Sequence, residues 1–282
     1  FKQFWNEFRK TSNDISETES LSLVCDKLFE FDAVRGLLQL ADHRASAKEN
    51  DEFVLNLMRF NYHFPFEEKR GVQKLVEKNW NNDILLVRAP TGAGKTDASL
   101  LWASHQIAAH KADRLVIAMP TRFTANALSV NVASTLSDTG VYHSSAWYIK
   151  LSSVQNGELN MTKAMAQHKM AKLLATPITV CTIDHLLMSL TFTCENHHLI
   201  CSNLANSCVV IDEADFYDEF ALANILFLLK VLRCWNVPVM IMSASLPESA
   251  LPLYRKAGFK IESILEDKES DNYQKSFNIK RL

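Results

Sequence analysis

The sequence predicts an α/β fold: a parallel sheet with helices on both faces, preceded by an α-helical segment. Three observations lead there. Apolar residues recur at helical spacing in "LVCDKLFEFDAVRGLLQLADHRASA", and residues 1–59 hold no glycine-rich turn and no β-branched run. Pro65 and Gly71 then punctuate "HFPFEEKRG". Beyond that point short apolar runs alternate with longer helical ones, the pattern of a parallel sheet with crossover helices.

The elements follow in order. A short helix is expected over residues 72–80. "DILLVR", "RLVIAMP", "PITVCTI", "CVVIDEAD" and "VPVMIMSAS" are strand candidates. Helices are expected over residues 96–110, 124–136, 159–174, 184–190 and 218–234. From about Glu266 the chain turns polar and reads as a linker. In such folds ligands gather at the carboxyl ends of the strands, so the chemistry is sought just after each apolar run.

The bulk numbers set limits. A length of 282 residues fits one large domain or one domain with attachments, and 48% apolar residues suffice for a core. The net charge of −2 shows no global basic face, so a nucleic-acid partner has to be held by local groups. Six cysteines lack the dense pattern of a secreted scaffold, which points to a reduced, cytoplasmic setting. No apolar run reaches membrane-spanning length, so no membrane is expected as a partner. The chain begins at Phe1 rather than Met, as a piece of a longer protein would.

"APTGAGKT", residues 89–96, lies between a strand and a helix, the setting a phosphate loop requires. Gly92 and Gly94 let the backbone approach phosphates. The N–H groups of Thr91, Gly92, Ala93 and Gly94 and of the helix start would face the anion. Lys95 would reach the β- and γ-phosphates, and the Thr96 hydroxyl would hold Mg²⁺. Ala89 stands where the general pattern has glycine. The bland reading is a glycine turn capping a helix beside a chance lysine.

"CVVIDEAD" ends in Asp212, Glu213 and Asp215. Carboxylates at a dry strand end are costly unless paired or metal-bound. Opposite a phosphate loop, Asp212 would hold Mg²⁺ through water and Glu213 would polarise the attacking water. Taken alone, an acidic strand end is a solvated turn. Asp215 is expected to contact Ser243 and Ser245 rather than nucleotide, a coupling role. ATP and Mg are the expected cofactors.

With both motifs in hand, the chain resembles the first RecA-like domain of a superfamily-two helicase. "DEAD" is similar to motif II, "MSAS" (residues 242–245) to motif III with Ser245 for the usual threonine, and "MPTR" (residues 119–122) to motif Ia. Gln73 lies where that resemblance expects the adenine-reading glutamine; a lone Gln on a helix otherwise reads as solvated surface. The finer resemblance, carried by "PTRFTANAL", "TPITVCTIDHLL" and "SASLPES", is to the CRISPR-associated helicase–nuclease of type I systems, the Cas-three family. That family more often has histidine at the position of Asp215. "GLLQLADHRASA" resembles the last helix of the HD nuclease domain that precedes its helicase, with Asp42 aligned to a late metal ligand. The sequence has no His-Asp doublet, and Asp42 with His43 cannot build a metal nuclease.

The resemblance implies a division: residues 1–50 a helical remnant of an HD-type domain, 51–80 a connector with the Gln73 helix, 81–260 the first RecA-like domain, and 261–282 a linker toward a second. It implies an ATP-dependent single-stranded-DNA translocase of CRISPR interference. Its partners would be single-stranded DNA, the CRISPR surveillance complex, and a second RecA-like domain and HD nuclease domain that lie elsewhere in the protein. This first motor half alone should hydrolyse ATP poorly. Thr121, Arg122, Thr182 and Ser144 are the candidate nucleic-acid contacts, with strand-end capping the plain alternative for Thr182 and a turn for Ser144. Rival readings are an RNA-dependent ATPase of the DEAD-box type and a nucleotide-dependent protein-binding switch.

"CENHHLIC" invites a zinc reading, but its spacing fits no common site, and a polar loop is the expectation there. Phe60, Tyr62, Phe64 and Phe66 would either stack on adenine or pack against helices.

Overall fold

The computed structural model describes residues 17–49, 59–135, 139–155, 160–260 and 264–267. Its first helix, α1 (Glu17–Glu49), is followed by α2 (Gly71–Lys78) and then by alternating strands and helices. These are β1 (Ile84–Arg88), α3 (Lys95–Ala108), β2 (Arg114–Met119), α4 (Arg122–Thr135), β3 (Thr139–Tyr142), α5 (Ala146–Gln155) and α6 (Met161–Lys172). Then come β4 (Ile178–Thr182), α7 (Ile183–Ser189), α8 (Asn196–Ala205), β5 (Ser207–Ile211), α9 (Glu219–Cys234), β6 (Val239–Ser243), α10 (Leu251–Lys256) and β7 (Ile264–Glu266).

The strands form one sheet in the order β3-β4-β2-β5-β6-β1-β7, every pair parallel. Side chains alternate faces with a period of two, and the core obeys this strictly. Leu85 and Val87 of β1, Ile117 of β2, Val210 of β5 and Met240 of β6 enter one cluster, with Val72, Trp102 and Leu128 from α2, α3 and α4. Their neighbours Leu86, Val116, Val209 and Ile241 enter a second, with Leu186, Leu199, Leu228 and Tyr254 from α7, α8, α9 and α10. Burying each such apolar side chain contributes roughly 1.5–3 kcal/mol. Among the described residues, no helix is long and apolar enough to cross a membrane.

Several expectations need correction. β3 and β7 have only four and three residues and lie at the two edges of the sheet. Runs that short leave little apolar pattern to read. Because β7 pairs with β1, residues 264–266 belong to the sheet and not to a linker; residues 268–282 lie outside the described residues. The expected polar loop at "CENHHLIC" is largely helix α8, which buries Leu199, Ile200 and Leu204 in the second core. Of the expected helical region 1–59, residues 1–16 and 50–58 lie outside the described residues, and α1 fills 17–49.

α1 packs across α8. Gly36 permits the approach, since a Cβ there would come within 3.0 Å of the Leu199 Cα. Asp32, fully buried, lies 2.6 Å from Nδ1 of His198, and the Phe31 and Phe192 rings flank that imidazole. Burial pushes the Asp32 carboxyl up to about 8, against the pull of Arg35, and pushes His198 down. Asp42 and His43 are exposed on α1.

Candidate nucleotide site

The loop after β1 is shaped by its two glycines. Gly92 and Gly94 have φ of 86° and 91°, and Gly94 is the N-cap of α3. Glycine takes these left-handed angles without the Cβ clash that other residues meet. Lys95 Nζ donates to the carbonyls of Ala89 at 2.9 Å and Pro90 at 3.3 Å, so the ammonium lies folded over the loop. Burial pushes its pKa down, while Asp212, Asp215 and Glu213 oppose the shift. These acids carry charge opposite to Lys95, and all four residues line one cavity.

β5 delivers the acids. Asp212 N donates to the Ala118 carbonyl at 3.0 Å, extending the ladder to β2 by one residue, and the Asp212 side chain is buried. Its Oδ1 accepts from Glu213 N at 2.8 Å. Burial raises the Asp212 carboxyl above the usual range, with the Glu213 N–H and Lys95 pulling it back. Glu213 sits at φ 52°, a left-handed angle for a non-glycine residue that costs on the order of 1–3 kcal/mol. Its carboxyl is raised by burial and then by Asp212 and Asp215.

Asp215 accepts from Ser243 Oγ at 2.7 Å and from Ser245 Oγ. Burial would raise it, but these hydroxyls and Lys95 outweigh burial and hold it below the ordinary range. The structure thus joins the ends of β5 and β6, as expected from the residues.

Phosphate loop and acids line one cavity of about 740 Å³, whose wall includes Thr91, Gly92, Gly94, Lys95, Thr96, Asp212, Glu213 and Asp215. That volume suits a nucleotide-sized ligand. The buried Asp212 carboxylate and Thr96, lining the same cavity, offer an all-oxygen set that fits a hard cation such as magnesium. Pro65, Phe66 and Phe216 close further parts of the wall.

Gln73 is not solvated surface. It is 2% exposed, its Oε1 accepts from Arg70 N at 2.8 Å, and its Nε2 donates to the Gly94 carbonyl at 3.3 Å. The cavity wall does not include it; it braces the phosphate loop from beneath. Of the four aromatics, only Phe66 reaches the wall. Phe60 and Phe64 pack against the core, and the buried Tyr62 donates to Asp97 at 3.1 Å. Arg70 was missed from sequence. Its Nη1 donates to the Gly92 carbonyl at 2.6 Å, and its place as N-cap of α2 was the available signal.

The nucleic-acid candidates gather at the carboxyl ends of β2, β4 and β3. Met119 and Thr182 are register partners, so Thr121 and Arg122 lie just past the strand that neighbours Thr182. Arg122 Nη1 donates to Ser145 Oγ at 2.6 Å and reaches Ser144 Oγ at 3.4 Å. Thr121 Oγ1 accepts from Thr124 N at 3.1 Å and so caps α4. Thr182 is buried at the N-cap position of α7 and makes no side-chain cap bond.

Comparison with known proteins agrees with this geometry. The family model described as DEAD/DEAH box helicase matches residues 70–252. A putative CRISPR-associated nuclease/helicase Cas3 of Methanocaldococcus jannaschii is 29% identical over 206 residues, covering 72% of this chain and 27% of the relative. The CRISPR-associated endonuclease/helicase Cas3 of Thermus thermophilus is 30% identical over 211 residues, covering 66% and 23%. The chain therefore spans about a quarter of the length of these curated relatives. The crystal structure of T. fusca Cas3 superimposes with a TM-score of 0.58 at 26% identity, over 73% of this chain and 24% of that one. With the match running from beneath the phosphate loop to beyond the Asp215–Ser243–Ser245 junction, the chain belongs to the DEAD/DEAH-box helicase family, and its RecA-like domain is similar to that of the Cas3 proteins.

Proposed function

We propose that this chain is the first motor domain of an ATP-driven helicase that translocates on single-stranded DNA in CRISPR interference. The observation that carries the reading is the meeting of Lys95, Thr96, Asp212 and Glu213 in one cavity. Supporting it, the relatives are CRISPR-associated nuclease/helicases, and one similar solved structure is that of T. fusca Cas3-ADP. The likeness to Cas3 carries with it a surveillance complex as recruiting partner, with Thr121, Arg122, Thr182 and Ser144 along the strand's path.

The loop N–H groups and Lys95 hold the triphosphate, which requires Lys95 to leave the Ala89 and Pro90 carbonyls. Thr96 and Asp212 hold magnesium, which supplies charge neutralisation of the phosphates when bound. Glu213, its carboxyl raised by burial and its acidic neighbours, orients and deprotonates the attacking water. Asp215 carries a change at the γ-phosphate to Ser243 and Ser245 and so to β6. A second RecA-like domain contributes the arginine that completes the site, so residues 1–282 by themselves bind ATP but turn it over slowly. Helix α1, though packed on α8, derives on this reading from the domain that precedes the motor.

Equilibrium binding of a fluorescent ATP analogue to the chain tests this, with and without magnesium. Magnesium should tighten binding, and Asp212→Asn should remove the magnesium dependence while leaving metal-free binding in place. Binding indifferent to both would contradict the assignment.

A further inference from the structure

Two exposed aromatic rings flank the Arg122 cluster. Phe123, 80% exposed, follows Arg122 in the first turn of α4, and Tyr148, 73% exposed, lies in the first turn of α5. A stitch of hydrogen bonds ties their backbones together. Arg122 donates to Ser145 Oγ at 2.6 Å, and Tyr148 N donates to the Ser145 carbonyl at 3.1 Å. Beneath them the buried His143 accepts from Ser145 N at 3.2 Å through Nδ1, which leaves Nε2–H to donate to Asn126 Oδ1 of α4 at 2.7 Å. The chain after β3 is thereby pinned to α4, and the two rings are carried on one braced unit.

The charge pattern says what covers them. The whole chain has 32 acids against 30 Lys and Arg, yet residues 121–150 contain one carboxylate, Asp138, beside Arg122, Lys150 and His143. A surface with an arginine bonded to two serine hydroxyls, beside two open rings, matches a polymer of anionic backbone and flat apolar bases. An acidic or purely apolar protein segment would satisfy only half of it. Bases stack on aromatic side chains whatever their identity, which suits a motor that must pass over any sequence.

We propose that Phe123 and Tyr148 form a base-stacking platform for a single-stranded nucleic acid whose backbone is held by Arg122, Ser144 and Ser145. This rests on the reading that the strand crosses the carboxyl ends of β2 and β4, and adds to it that bases, not only phosphates, are gripped.

The test uses the full-length protein, a labelled oligothymidylate and an oligomer of equal length made of base-free deoxyribose phosphates. Phe123→Ala and Tyr148→Ala should each weaken oligothymidylate binding by about ten-fold and leave the base-free oligomer unchanged. Phe123→Tyr and Tyr148→Phe should restore it, and Arg122→Ala should weaken both oligomers. If wild type binds oligothymidylate and both alanine variants bind it equally well, the platform is wrong while the strand path stands. Equal losses on both oligomers also overturn it. Wild type that binds neither oligomer overturns the strand path, and the platform with it.

Discussion

Gly92 and Gly94 look alike in the sequence, but their surroundings differ. Both hold left-handed angles, so alanine costs about 1 kcal/mol at either position. A Cβ at position 92 meets nothing within 4 Å, whereas at 94 it would stand 2.5 Å from Gln73 Nε2. Gln73 is held by bonds to Arg70 N and the Gly94 carbonyl and cannot retreat without losing one. Gly94→Ala should therefore cost about 1 kcal/mol more than Gly92→Ala, measured by urea unfolding; equal costs would mean that Gln73 does not brace the loop. At Glu213, replacement by Gln keeps the size and removes the base. Hydrolysis should fall by about 10²–10⁴ with ATP affinity nearly unchanged, and a parallel loss of affinity would show that the carboxylate grips the nucleotide instead. That Lys95, Asp212 and Glu213 meet in one cavity was legible because a phosphate-loop pattern and an acidic strand end each leave a short local signature. The contact of Gln73 with the loop was not legible because a brace leaves no spacing in the chain, only a partner 21 positions away.

Among the elements, the α1–α8 contact was invisible in the sequence. Its centre is a buried acid on one helix and a histidine on another, 166 positions apart. Removing one partner of such a pair is expensive, so Asp32→Ala should destabilise by about 1–3 kcal/mol. Asp32→Asn, which keeps an acceptor, should cost less. The pH dependence is signed. Folding raises the Asp32 carboxyl to about 8 from an ordinary 3.8, so the folded state holds a proton that the unfolded state has released. That contribution is full below pH 4 and is lost as pH rises to 8. His198 moves the opposite way but is common to both proteins, so wild type should lose stability relative to Asp32→Asn between pH 5 and 8. A flat difference in thermal unfolding across that range would mean the carboxyl is not buried. The five long strands were readable as apolar runs with punctuation. β3 and β7 were not, because their partners rather than their composition make them strands. Helix α8 was hidden by its histidines, both of which are buried, His198 against Asp32 and Phe31 of α1.

For the whole molecule, the alternation of strand and helix was enough to fix a parallel sheet, and that sheet fixes where chemistry can occur. Phosphate loop, acids and Arg122 cluster all follow strands of one sheet at their carboxyl ends, as its connectivity requires. On the proposed reading a second RecA-like domain turns the binding cavity into a motor, so the reading is tested on the full-length protein. The measurement is ATP hydrolysis by the full-length protein with single-stranded DNA, single-stranded RNA or neither, against Lys95→Ala. Strong stimulation by DNA that Lys95→Ala abolishes is the expected result. Stimulation by RNA alone, or by neither strand, would contradict it.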